Sequence, residues 1–313
     1  ADRAPTALAN RAQRAAIAAR PAFARLEPAF ARALDQKRTR LDALAKLLDT
    51  LSYRRILDRG FALVTRTGHL AAAHRIEAPI DLTVKSDAAG WAERLGGIVT
   101  PTGGVRLAAV EGSVTALQGF AEGEWWVQDA AASIPARLFG DIAGLRVADL
   151  CAAPGGKTAQ LAHAGAEVTA LELSPNRAER LAANLERLKL AAQIVTGDLF
   201  TFEPAEKFDA VLLDAPCSST GTVRRHPDVP WTKGPQDVEK LAGLQARMLE
   251  KAVTLVKPGG RIVFSNCSLD PREGEDLYRD FLAAHPQIAA DPVEPGEFAF
   301  ADPFITATGA LRT

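Results

Sequence analysis

Residues 146–158 read RVADLCAAPGGKT, an apolar run of strand length followed by a turn of small residues with two glycines and the start of a helical stretch. Further apolar runs of strand length follow, and they alternate with helical stretches at 175–190 and 236–256. This alternation predicts an α/β fold with a mostly parallel sheet and helices on both of its faces. The later runs are EVTALEL (167–173), AQIVTGD (192–198), FDAVLLDAP (208–216) and GRIVFSNCS (260–268).

The ends of the first three predicted strands have the features of a nucleotide site, because ligands of open parallel sheets bind beyond the carboxyl ends of the strands. The two glycines allow close approach of the backbone. Glu172 can accept hydrogen bonds from ribose hydroxyls, and Asp198 is placed near an adenine amino group. The motifs GxGxxG and GxxxxGK[ST] are missing, which favours S-adenosylmethionine (SAM) over NAD and ATP. The predicted cofactor-binding residues are Cys151, Ala152, Ala153, Pro154, Gly155, Gly156, Lys157, Glu172, Arg177, Asp198 and Asp214.

Two cysteines follow the fourth and fifth predicted strands, so both lie at the edge of the sheet beside the predicted cofactor site. Free cysteines are most often small buried residues, but a core thiol has no reason to occupy that edge twice. Carbon 5 of cytosine becomes nucleophilic when a thiolate adds at carbon 6. A nearby carboxyl group can stabilise the adduct, and a second acid/base group must then help to release it. The predicted catalytic residues are Cys267, Cys217 and Asp214.

Three segments resemble the motifs of the bacterial RsmB-type (Sun-domain) RNA cytosine-5 methyltransferases. The resemblance extends from about residue 73 to the last residue, and it implies a Rossmann-like, SAM-dependent methyltransferase fold. Small-subunit ribosomal RNA is the substrate that it implies. The three segments are DLCAAPGGKTAQLA (149–162), DAPCSSTGTVRRHPD (214–228) and SNCSLDPREGE (265–275).

The same resemblance assigns roles to individual residues. It implies that Cys267 forms the bond to the base and that Cys217 assists product release. It also implies that Arg224, Arg225 and His226 lie in a loop near the RNA, for which the alternative is a structured surface loop. These assignments come from the family and not from the spacing of the residues.

The chain departs from the family pattern at three points. Asn266 stands where the family usually has Thr before the nucleophile, and Glu172 stands where it usually has Asp. Both replacements keep the ability to form hydrogen bonds. The third departure is the end of the chain at ALRT, where the family continues into a final strand. We therefore expect a domain truncated at this strand, with an unpaired sheet edge that lowers its stability.

The N-terminal part of the chain differs from the rest in charge. Residues 1–60 contain 13 Lys and Arg against 6 Asp and Glu, whereas the remainder contains 24 against 32. Apolar residues on a heptad seam predict a basic helical or coiled-coil arm, through which the chain could oligomerise. Residues 1 to about 70 resemble the C-terminal region of the exodeoxyribonuclease VII large subunit. Short strand-like runs follow at 61–65 and 80–84, separated by turn residues. The predicted organisation is an arm at 1–70, a small α/β segment at 71–135 and the methyltransferase domain at 136–313.

Composition and residue spacing narrow the classes of protein to which the chain can belong. The three cysteines lack CxxC spacing, which argues against a disulfide framework and a zinc site. No apolar stretch reaches the roughly eighteen residues of a membrane span, so the sequence predicts a cytoplasmic protein. Two alternatives to the RNA enzyme remain. One is a hybrid or truncated chain that only binds nucleic acid. The other is a DNA cytosine methyltransferase, against which Cys267 argues because those enzymes as a family have no thiol there.

Overall fold

The computed structural model describes residues 78–298 and 300–313, together with residues 13, 14 and 37. The predicted arm, its heptad seam and the strand expected at 61–65 lie outside the described residues, apart from those three positions. The division of the chain into three parts therefore remains a prediction.

The described part of the segment before the methyltransferase domain forms a four-stranded antiparallel sheet in the order β2-β3-β1-β4. Leu82, Trp91 and Trp125 pack at its centre, where burial of large apolar side chains stabilises the segment. Strand β1, predicted at residues 80–84, is found there. The elements are β1 (Ile80–Val84), α1 (Ala88–Leu95), β2 (Ile98–Val99), β3 (Val105–Leu107) and β4 (Trp125–Val127).

The second sheet confirms the predicted parallel α/β fold. Its five strands follow the order β7-β6-β5-β8-β9, and every neighbouring pair is parallel. The strands are β5 (Arg146–Leu150), β6 (Glu167–Glu172), β7 (Gln193–Thr196), β8 (Phe208–Asp214) and β9 (Val256–Ser265). The helices are α2 (Ile134–Arg137), α3 (Gly156–His163), α4 (Pro175–Arg187), α5 (Val229–Thr232), α6 (Pro235–Leu255) and α7 (Glu275–Ala284).

Helices cover both faces of this sheet because successive strand residues point to opposite sides. Ala148 and Leu150 of β5 belong to a core cluster with α6 and α7. Val147, which precedes them and points to the other face, belongs to a second cluster with α2 and α3. A third cluster joins α3 and α4 to β6. The three central strands, β5, β6 and β8, are buried along most of their length, which explains why their sequences are continuous apolar runs.

Two predicted element boundaries differ from the structure. Helix α4 ends at Arg187 and not at residue 190, because Lys189 adopts a left-handed conformation with φ of 54° and its N–H bonds back to the helix. Strand β9 begins at Val256 and not at residue 260, because Val256 already pairs with Phe208 across an irregularity in the register. Among residues 78–298 and 300–313, β9 pairs with β8 alone and forms an edge of the sheet.

Candidate active site

The turn between β5 and α3 has a backbone that excludes larger side chains. Gly155 has φ of 105°, and a Cβ atom there would lie 2.5 Å from the Cδ1 atom of Leu181. The turn is fixed from outside by Asn184, whose side-chain amide donates to the carbonyl of Pro154 at 2.8 Å. Arg177 donates to the carbonyl of Ala153 at 2.6 Å. Glycine is therefore required at the position where the sequence predicts close approach of a ligand.

An open cavity of about 330 Å³ lies beside this turn. One wall is the predicted turn from Ala152 to Lys157, with Asp149 and Asp214 at the strand ends. The opposite wall comes from the antiparallel segment and includes Phe120, Trp126, Val127, Gln128, Asp129 and Ala132, and Asn184, Arg187 and Leu188 complete the lining. Sequence analysis predicts no site role for the residues of this second wall, because they carry no nucleotide-binding pattern.

Gln128 connects the two walls through a buried hydrogen-bond network. Its Oε1 atom accepts from the Thr83 hydroxyl at 2.8 Å and from the Trp126 indole at 2.9 Å. Its amide nitrogen donates to the Oε1 atom of Gln160 on α3 at 2.7 Å. A buried side-chain amide with all its groups bonded is strongly fixed in position. This network therefore holds the antiparallel segment against the helix that follows the glycine turn.

Asp149 in the cavity wall has an unusual environment. Its side chain is 1% exposed, and its Oδ2 atom accepts a hydrogen bond of 2.6 Å from the Thr158 hydroxyl. The Oδ1 atom is buried and has no hydrogen-bond partner. Burial is the main reason that the pKa of Asp149 rises to about 7. An unpaired buried acceptor is costly, so this atom suits a ligand that brings a donor.

Asp149→Asn is expected to change how stability depends on pH. The pKa of Asp149 is about 7 in the fold against an ordinary value of 3.8. Between these values the folded chain holds a proton that the unfolded chain releases. The free energy of unfolding therefore falls as pH rises through this window, by about 1 kcal/mol per pH unit from this group. Urea unfolding at several pH values without ligand measures this dependence. An equal slope of unfolding free energy against pH for the variant and the parent would contradict the prediction.

The predicted ribose and adenine acids occupy different positions. Glu172 is 2% exposed, and its carboxylate accepts from the backbone N–H of Ala153 at 3.2 Å and of Ser174 at 3.0 Å. It therefore holds the glycine turn from behind. Asp198 is exposed and accepts from the N–H of Phe200 at 3.0 Å. The residues that line the cavity include neither Glu172 nor Asp198, and they do not include Cys151 or Arg177. Their cofactor roles remain predictions.

The two predicted catalytic cysteines are adjacent in space. The Sγ atoms of Cys217 and Cys267 are 3.3 Å apart, and the hydroxyl of Ser219 lies 3.9 Å and 3.5 Å from them. The hydrogen bond between the two thiols lowers the pKa of Cys267 to about 6 and raises the pKa of Cys217. Cys267 is also the more exposed of the two. The pair thus combines an exposed thiol whose pKa is lowered with a partner whose pKa is raised.

Asp214 joins the cavity to the cysteine pair. One carboxylate oxygen accepts from the Lys157 ammonium group at 2.7 Å, and the other accepts from the Ser265 hydroxyl at 2.8 Å. Asp214 and Ser265 are register partners at the ends of β8 and β9. Two donors hold the carboxylate in one orientation.

The predicted RNA loop is a structured segment in which the three residues differ. Arg224 and His226 are exposed. Arg225 forms an ion pair of 3.0 Å with Asp129, which also lines the cavity. The loop is therefore attached to the wall contributed by the antiparallel segment.

Residues 143–306, more than half of the chain, match the family model for 16S rRNA methyltransferase RsmB/F. The chain belongs to this family. The match covers the glycine turn, Asp214 and both cysteines of the pair.

Curated RsmB proteins are similar over the same region. Ribosomal RNA small subunit methyltransferase B of Vibrio cholerae is 42% identical over 188 residues, which are 58% of this chain and 43% of that protein. The protein of the same name from Klebsiella pneumoniae is 42% identical over 202 residues, 62% of this chain and 47% of its own. The chain spans about half the length of these relatives.

Solved structures extend the similarity to the fold. A methyltransferase homolog protein from Pyrococcus horikoshii aligns with a TM-score of 0.62 and 30% identity, over 77% of this chain and 81% of its own. NSun6 from the same organism, solved with SFG, aligns with a TM-score of 0.51 and 27% identity, over 56% of this chain and 46% of its own. These similarities confirm the Rossmann-like methyltransferase fold that the RsmB/F resemblance implied.

Two kinds of feature are absent from the described residues of this RsmB/F chain. They contain no helix with the length and apolar character needed to cross a membrane. They also contain no group of three or more His, Cys, Asp or Glu side chains placed to hold a metal ion.

Proposed function

We propose that this chain transfers a methyl group from SAM to carbon 5 of a cytosine in RNA, with small-subunit ribosomal RNA as the substrate. The observation that carries the proposal is the pair of thiols 3.3 Å apart. They follow adjacent parallel strands, next to a carboxylate that lines the nucleotide-sized cavity. Family membership and the names of the curated relatives support the choice of ribosomal RNA.

The cavity fits SAM in size and in chemistry. Its glycine turn allows close approach, and the unpaired Oδ1 atom of Asp149 offers an acceptor for a ligand donor. We assign Glu172 to the ribose and Asp198 to the adenine, because both acids stand at the carboxyl ends of β6 and β7, at the same edge of the sheet as the glycine turn, although neither lines the cavity. The relative NSun6 was solved with SFG, a SAM analogue, which supports the same ligand here. When bound, SAM supplies the methyl group and no other chemistry.

The residues of the chain activate the base. The Cys267 thiolate forms a bond to carbon 6, and the electron pair of the 5,6 double bond moves towards carbon 5, which becomes nucleophilic. Asp214 accepts a hydrogen bond from the ring amino group, and from the third nitrogen once that nitrogen has taken up a proton from solvent, and it stabilises the adduct in this way. After methylation, Cys217, having given its own proton to solvent, assists removal of the carbon 5 proton. The electron pair of that C–H bond re-forms the 5,6 double bond, the third nitrogen gives up its proton, and the bond from carbon 6 to sulfur breaks and restores the Cys267 thiolate. The lowered pKa of Cys267 suits its role as the attacking group.

The predicted contacts with RNA lie on the loop after Cys217. Arg224 and His226 are exposed and can reach a phosphate backbone, whereas Arg225 would have to exchange its ion pair with Asp129 for such a contact. Contacts of this kind weaken with salt, because binding releases counterions from the phosphates.

Incubation of the chain with labelled SAM tests the proposal directly. Unmodified small-subunit ribosomal RNA is expected to become labelled at carbon 5 of a cytosine, and duplex DNA is expected to stay unlabelled. Label in duplex DNA alone would identify a DNA enzyme. Salt-dependent RNA binding without any label would identify a chain that only binds nucleic acid, and either result would overturn the proposal.

A further inference from the structure

Glu273 is a fully buried carboxylate close to the cysteine pair. Its side chain is 0% exposed. The Oε1 atom accepts from the backbone N–H of Ser218 and from the Nε2 atom of Gln245, both at 2.9 Å. The Oε2 atom accepts from the Ser218 hydroxyl. The 3₁₀ turn that contains Glu273 follows β9, whereas Gln245 lies on α6, so the carboxylate joins two distant parts of the chain.

This cluster fixes the backbone on both sides of Cys217. Ser218, which follows the cysteine, gives both its N–H and its hydroxyl to Glu273. Pro216, which precedes it, accepts a hydrogen bond of 2.9 Å from the same Gln245 nitrogen that bonds Glu273. The thiol itself takes no part, so it stays available for chemistry.

The cluster also fixes both neighbours of Cys267. The side-chain amide of Asn266 donates to the backbone carbonyl of Glu273 at 2.6 Å. The hydroxyl of Ser268 lies 3.0 Å from the hydroxyl of Ser218. The four residues that flank the two cysteines are thus all connected to Glu273: Ser218 binds its carboxylate directly, Pro216 and Ser268 are linked to it through Gln245 and Ser218, and Asn266 binds its backbone carbonyl.

The energy of such a cluster argues for a positional role. Burying a carboxylate costs several kcal/mol, and a well-packed apolar group of similar volume is often as stable or more stable. The donors to Glu273 are a backbone N–H, a hydroxyl and a side-chain amide. These groups are neutral, and they hold the carboxylate in one orientation because hydrogen bonds are directional. A group kept for stability alone does not need partners beside both thiols.

We propose that Glu273 is a positioning residue that sets the distance between the thiols of Cys217 and Cys267. This inference rests on the proposed function for its catalytic meaning, but the thiol spacing itself is a property of the protein alone. Glu273 touches neither the thiols nor the cavity lining, so it acts through the residues that flank the cysteines.

Glu273→Gln tests the proposal, because the amide keeps the shape of the side chain but removes the negative charge to which the Ser218 N–H and the Gln245 amide donate. The loops are expected to shift, and methyl transfer should lose about a hundredfold in kcat, the effect of a misplacement near 1 Å. The KM for SAM should not change. The pH midpoint for alkylation of Cys267 by iodoacetamide should rise from about 6 towards about 8.5, the value of an ordinary cysteine.

The alkylation assay needs neither SAM nor RNA, so it separates this inference from the proposed function. Glu239→Gln, an exposed acid on α6, is the matched control and should behave like the parent. Ser218→Ala keeps the backbone N–H and should give a smaller shift in the same direction, which also covers a Glu273 variant that does not fold. An unchanged alkylation midpoint in the folded variants would overturn the inference, even if methyl transfer fell.

Discussion

Cys267→Ala is expected to abolish both methyl transfer and any covalent complex with RNA. Cys267 is the exposed member of the pair, and its pKa of about 6 makes it a thiolate at neutral pH. Without it no group can add to carbon 6, so carbon 5 is not activated. The remaining thiol, Cys217, is not expected to replace it, because burial still raises the pKa of Cys217 when its partner is gone. Turnover and denaturing gels with labelled RNA measure the two losses.

Cys217→Ala is expected to give the opposite result on the gel. The Cys267 thiolate can still attack and the ring can still be methylated, but release needs the second thiol. A protein–RNA adduct should therefore accumulate and survive denaturation. An adduct with Cys267→Ala and none with Cys217→Ala would reverse the assignment. An adduct with neither variant would leave the covalent mechanism without support. Cys151→Ala removes the third thiol of the chain, which is partly buried and whose pKa is raised to about 12, and it should accumulate no adduct.

Asp214→Ala is expected to lower kcat/KM by roughly 10²- to 10³-fold, the usual cost of removing one oriented group that stabilises the reacting centre. The carboxylate is held by Lys157 and Ser265, so it is already oriented before the base arrives. Because activation of the ring precedes every later step, little adduct should form. Single-turnover kinetics with labelled SAM measure the loss.

Two further variants make this test specific. Ser265→Ala removes one hydrogen bond to the carboxylate but leaves the charge and its bond to Lys157, so its loss should be much smaller. Combining Asp214→Ala with Cys217→Ala should suppress the adduct that the cysteine variant accumulates. A full amount of adduct in the double variant would remove Asp214 from the activation step.

The parallel sheet could be predicted from sequence because its signals are local. Buried parallel strands appear as continuous apolar runs, and the turn at 151–158 is marked by its glycines. The proximity of Cys217 and Cys267 could also be predicted, since strands β8 and β9 end at the same edge. Their distance of 3.3 Å and the opposite shifts in the pKa of the two thiols depend on packing, which no local pattern encodes.

Residues that act through long-range contacts were missed. Asp149 was not predicted as a site residue, because nothing in the sequence shows that one of its oxygens is left without a partner. Glu273 is separated from Ser218 by 55 positions and reads as an ordinary acid in a charged stretch. Gln128 and Asp129 lie in an apolar strand-and-turn segment whose contact with the catalytic sheet is a tertiary property. Such roles follow from neighbours in space, which a single sequence does not reveal.

The shared wall of the cavity has an evolutionary consequence. One wall belongs to the segment around Trp126 and Gln128 and the other to the parallel sheet, and the two are joined through Gln160. A recombination event that separated these parts would destroy the ligand pocket, whereas one that exchanged sequence upstream of residue 78 would leave every residue of the pocket in place. All the described residues that line the pocket lie between Phe120 and Asp214, so one continuous stretch of sequence carries both walls.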